Sequence, residues 1–104
     1  MRQLAVNDLP EGALDAATAF MASHLQTVRA MLAEADCTAV AIVLAPATYD
    51  HRDWRQALAR DLAREATPVR VNVVAGVPGA ALEATLRFLS DAQGLTGQYL
   101  VCHE

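Results

Sequence analysis

A chain of 104 residues is one domain's worth of sequence, toward the small end for a core that must stand alone. At 54% hydrophobic against 19% charged it is neither disordered nor fibrous, and its formal charge of −4 argues against nucleic acid or an anionic membrane surface, partners that call for a basic patch. No apolar run approaches a membrane span and the start MRQLAVNDLPEG has no apolar core of signal length, so the expected compartment is the cytoplasm.

The segment LAVN near the start reads as a short first strand. Over residues 14–35, apolar side chains recur at Leu14, Ala17, Met21, Leu25, Val28 and Leu32, which predicts one amphipathic helix with that stripe inward. AVAIVLA, residues 39–45, is a continuous apolar run ending at a proline, as expected of a parallel strand covered on both faces. Asp50 is the expected N-cap of the next helix, with Asp53 favouring its positive start. In that helix Trp54, Leu58 and Leu62 form the inward stripe, flanked by Ala59 and Ala63, while Arg52, Arg55, Arg60 and Arg64 point mostly elsewhere.

Thr67-Pro68 ends the helix and starts the strand PVRVNVVAG. A third helix is expected over 80–91, with Leu82, Leu86 and Leu89 inward beside Phe88. Gly94 and Gly97 mark a turn, and QYLVC, residues 98–102, closes the chain as a last strand. Strands alternating with helices predict an α/β fold: a small parallel sheet of about four strands with crossover helices. Cys37 and Cys102 make no disulfide framework and are expected to be small buried or half-buried thiols.

Three groups of residues bear on function. Thr48, Tyr49, His51 and Asp53 form the richest polar cluster and lie just past the end of a parallel strand, where α/β proteins gather ligands. A small-ligand site there, with chemistry of its own, is one expectation. His24, His51 and His103, even with Asp50, Asp53 and Glu104, have no ligand spacing, so no metal is expected. The arginines of the second helix alternate with Asp53, Asp61 and Glu65, the pattern of a solvated mixed-charge face.

The strand PVRVNVVAG poses a problem of its own. Val69, Val71, Val73 and Ala75 are apolar, but the opposite face carries Arg70 and Asn72. Right-handed crossovers between neighbouring strands tend to put successive helices on one face. The other face would then be bare, or only partly covered if the last helix lies opposite; either way an apolar region lined by Ile42, Leu44, Val74 or Leu100 is expected to need a partner. Arg70 and Asn72 are expected at its rim, bonding a partner chain or strand termini.

Two segments, LARDLAREATPVRVNVVAG (58–76) and FLSDAQGLTGQYLV (88–101), together resemble the C-terminal half of short-chain dehydrogenases/reductases. The resemblance implies a partial Rossmann-like fold, a single domain over residues 1–104 lacking the N-terminal dinucleotide-binding half. That family binds NAD(P) on a glycine-rich turn, and none of the five glycines here makes the pattern. Its catalysis uses a tyrosine whose acidity is raised by a lysine four residues on, beside a serine. All eight basic residues of this chain are arginines; Tyr49 is followed four positions on by Asp53, and Pro46 and Ala47 stand where the serine is due, with Thr48 a poor stand-in. The departures imply no cofactor and no dehydrogenase activity.

The family pairs through the two helices before the RVN strand and through the last strand with its preceding helix. A protein acting by association follows: a homodimer or dimer of dimers, or a pair with a full-length relative. The expected interface holds Arg70 and Asn72, with Trp54 or with Tyr99 and Leu100 at the twofold axis.

Overall fold

The structure is a computed structural model that describes residues 1–103. Four parallel strands form one sheet in the order β1-β2-β3-β4, with β1 at Arg2–Val6, β2 at Ala39–Leu44, β3 at Arg70–Ala75 and β4 at Tyr99–Val101. β1 and β2 are joined by helices α1 (Ala13–Ser23) and α2 (Leu25–Leu32), β2 and β3 by α3 (Arg52–Ala66), and β3 and β4 by α4 (Ala80–Asp91). The α/β class and the parallel sheet expected from the sequence are what the chain adopts. No helix among the described residues is long and apolar enough to cross a membrane.

β2 is buried along its whole length because it is central and covered on both faces. Its even residues Val40, Ile42 and Leu44 join Val71 and Val73 of β3 under α1, α2 and α3, where Phe20, Val28, Met31, Leu58 and Leu62 complete the larger core. Its odd residue Val43 joins Val74 under α4, with Leu82 and Leu89. Full burial of each large aliphatic side chain contributes about 1.5–3 kcal/mol, so these two layers supply most of the driving force for folding.

α4 therefore lies on the opposite face from α1–α3. All three crossovers step in the same direction along the sheet, so the last has the opposite hand to the first two. This corrects the expectation of a poorly covered apolar face. Ile42 and Leu44 belong to the three-helix side, Val74 lies beneath α4, and all three have no exposed surface. Leu100 is half-buried in the smaller core.

Of the two roles expected of Arg70 and Asn72, bonding a partner chain or bonding strand termini, the contacts they make are of the second kind. Both lie on the α4 side of β3. Arg70 Nη1 donates to the carbonyls of Leu89 (2.9 Å) and Ala92 (2.8 Å), placing a cation at the negative end of α4. Asn72 Nδ2 donates to the Leu95 carbonyl at 3.1 Å, and its Oδ1 accepts the Gln98 backbone N–H at 3.0 Å. The return loop from α4 to β4 carries backbone groups that need partners, and these two side chains supply them. Asn72, 1% exposed, lies out of a partner chain's reach.

Gly97 completes that return. Its φ of 73° suits a residue without a Cβ, and an added Cβ would sit 3.4 Å from Ala63 Cβ.

Four local expectations are also corrected. The helix expected over 14–35 is two helices broken at His24, whose ring bonds Asp8 Oδ1 at 2.9 Å. The inward residues of α1 are Ala16 and Phe20, one position behind the expected Ala17 and Met21, so Leu14 is 85% exposed. Asp50 makes no capping bond to α3; a 3-10 turn (Tyr49–His51) precedes the helix, and Asp50 accepts the Thr48 hydroxyl instead. Phe88, placed beside the inward leucines, is 58% exposed.

Candidate functional site

The C-terminal ends of β1 and β2 open into a cleft of about 470 Å³. One wall is the loop after β1, with Leu9, Pro10 and Glu11; the other is residues 45–48 after β2; His51 and Arg55 lie between them. Parallel strands make this position because every crossover leaves the sheet at the same end.

His51 is 4% exposed and fully engaged. Its Nε2 lies 2.8 Å from the Glu11 carbonyl, which can only accept, so Nε2 donates. Its Nδ1 accepts the Trp54 indole N–H at 3.0 Å, and together these bonds fix a neutral ring protonated on Nε2. Trp54 in turn packs against Phe20, with ring centroids 6.1 Å apart. The histidine thus ties the loop after β1 to the start of α3, which is a positioning task.

The four residues expected to form a ligand site do not converge. Thr48 and His51 line the cleft, but Tyr49 is 83% exposed beneath the Arg52 guanidinium, and Asp53 is exposed on the first turn of α3. Helical periodicity separates them: positions 51, 54, 55 and 58 turn inward while 49, 50, 52 and 53 turn out. Thr48 donates its hydroxyl to Asp50, which holds that carboxyl below its ordinary range. Among the described residues no group of three or more His, Cys, Asp or Glu side chains comes together to hold a metal; Glu104 lies outside them.

Arg55 is the residue that sequence reasoning missed. It is 3% exposed, and its Nη1 donates to the Ala45 carbonyl at 3.0 Å and to the Tyr99 hydroxyl at 3.2 Å. Its guanidinium carbon lies 5.5 Å from the Trp54 ring centre and 5.9 Å from that of Tyr99. Its Nε is buried without a partner. The signal was present: Arg55 stands three residues before Leu58 and four before Ala59, on the inward stripe. Its charge is what disguised it.

Tyr99, and Trp54 on the helix expected as the alternative twofold axis, face inward and are half-buried in the larger core. The outward side of α3 carries Arg52, Arg60, Asp61, Arg64 and Glu65.

The family model described as SDR-like, short chain dehydrogenase-like protein, matches residues 4–102. No curated protein and no solved structure matches the chain.

Proposed function

From the premise that the chain belongs to the short chain dehydrogenase-like family, we propose that it performs no dehydrogenase chemistry and works by association, pairing with a second copy of itself. The observation that carries the association is the open side of the sheet beyond β4. Tyr99–Val101 pairs with β3 on one edge and has no strand on the other among the described residues. Such an edge leaves unpaired N–H and C=O groups for another chain.

Apolar surface accompanies that edge. Cys102 Sγ donates to Thr85 Oγ1 at 3.3 Å, which brings this side of α4 next to the end of β4. Phe88 follows Thr85 by three residues, on the same side of the helix, and is 58% exposed; Val101 is 44% exposed. Two copies meeting edge to edge about a twofold axis would bury both residues twice. A full-length relative would use the same edge. The alternative axis at α3 is disfavoured, because Trp54 is turned inward and the outer face of that helix is charged.

The lack of dehydrogenase chemistry rests on side chains within the matched residues. The chain has no lysine to acidify a tyrosine. Tyr49 stands in solvent, with Asp53 four positions on where that chemistry calls for a lysine. Calorimetric titration with NADH and NADPH tests this half of the proposal. No saturable binding is expected, and micromolar affinity for either would overturn it. The association half is read from the mass of the protein in solution.

A further inference from the structure

We propose that the cleft between the loops after β1 and β2 binds a small organic acid, whose carboxylate is gripped by the buried guanidinium of Arg55. This goes beyond the association of chains and does not depend on it. A guanidinium stays charged in proteins, so taking it out of water is costly unless an anion or a full set of acceptors replaces the solvent. Arg55 is 3% exposed, yet it forms no ion pair among the described residues. Its acceptors are two neutral oxygens, the Ala45 carbonyl and the Tyr99 hydroxyl, and both bind Nη1.

The geometry of what remains is specific. Nη1 has two hydrogens and both are used. Nε is buried with no acceptor, and Nη2 makes no bond to the described chain. Nε has no surface open to the cleft, so Nη2 is the donor left to meet a carboxylate there in a charge-assisted bond. Arg55 and its own acceptor Ala45 both line the cleft, so the under-used cation and the open space coincide.

The walls select the rest of the ligand. Leu9, Pro10, Pro46 and Ala47 present apolar surface, which suits a short hydrocarbon body. Glu11 is the one acidic residue among those lining the cleft, and added negative charge beside it is opposed, which favours a monocarboxylate over a phosphate dianion. A volume of about 470 Å³ lies within the range of small-molecule sites.

Trp54 is the sole tryptophan and its ring lies 5.5 Å from the Arg55 guanidinium carbon, so its fluorescence reports on the site without a label. Hexanoate, hexanamide and inorganic phosphate are titrated into the wild-type chain and into Arg55→Met and Ala47→Leu. Methionine keeps an unbranched apolar stem in the buried position while removing the charge, a change that buried sites tolerate. Ala47 is exposed at the cleft, so leucine there narrows the site without disturbing the core. Hexanoate is expected to bind saturably in the low-millimolar range or tighter, and at least about tenfold more tightly than hexanamide or phosphate. Both variants are expected to remain folded by circular dichroism and to lose at least about tenfold in hexanoate affinity. No saturable response to hexanoate would overturn the proposal. So would hexanamide or phosphate binding as tightly, or either folded variant binding hexanoate as well as wild type.

Discussion

Asn72 has 1% of its surface exposed and both ends of its amide engaged, so its removal strands two backbone groups at once. Asn72→Ala leaves the Leu95 carbonyl and the Gln98 N–H without their partner in the return loop. Stranding groups of this kind costs about 1–3 kcal/mol. Urea denaturation is expected to show a loss in that range with an unchanged slope; a loss below about 0.5 kcal/mol, the size of an ordinary surface change, would contradict the role assigned to Asn72. A second pair is exposed and behaves differently. Arg29 on α2 donates from Nε (2.8 Å) and Nη2 (3.0 Å) to the two carboxylate oxygens of Glu65 on α3. These bonds hold Glu65 below its ordinary value of 4.5. A carboxyl lowered in the folded state contributes stability above its unfolded value and loses it as pH falls through the folded one. Glu65→Gln is therefore expected to melt slightly below wild type at neutral pH, with the gap closing in acid and shrinking in salt. A gap unchanged in strong acid would assign it to something other than the pair.

Element by element, what the sequence declares depends on whether a signal is local. The run AVAIVLA announced a doubly covered strand, and β2 is that strand. The third helix runs over the expected residues, Ala80–Asp91, because Gly79 precedes it and its leucines recur at helical spacing. The break at His24 had no such mark: neither glycine nor proline interrupts 14–35, and the contact His24 makes with Asp8 spans sixteen positions of chain. In an alanine-rich helix the stripe is also ambiguous, because alanine suits either face. The inward face of α1 can be checked directly. Leu14→Gln is expected to change stability by less than about 0.5 kcal/mol, whereas Phe20→Ala, at a site with no exposed surface, should cost about 3–5 kcal/mol. Equal losses at both positions would restore the phase that periodicity alone suggested. The candidate site was half legible for a similar reason. Thr48 and His51 follow a strand end and do line the cleft, but Arg55 looked like one more surface charge until its i+3 and i+4 neighbours were seen to be core.

For the whole molecule, the hand of the last crossover is the feature that decides most. It carries α4 to the far face, covers the odd residues of β2, and turns Arg70 and Asn72 from an anomaly of the RVN strand into the ties of the return loop. It also brings Phe88 to the side of α4 next to the end of β4, exposed, beside an edge with no strand partner among the described residues. A domain of this size buries a modest fraction of its surface, so covering that edge matters more here than in a larger protein. The central claim is that this short chain dehydrogenase-like chain works by association through β4 and α4. Light scattering coupled to size exclusion, at micromolar concentration, measures it on the wild-type chain and on Phe88→Glu. Twice the monomer mass is expected for the wild type and the monomer mass for the folded variant; a monodisperse wild-type monomer, or a dimer that Phe88→Glu leaves intact, would contradict the account.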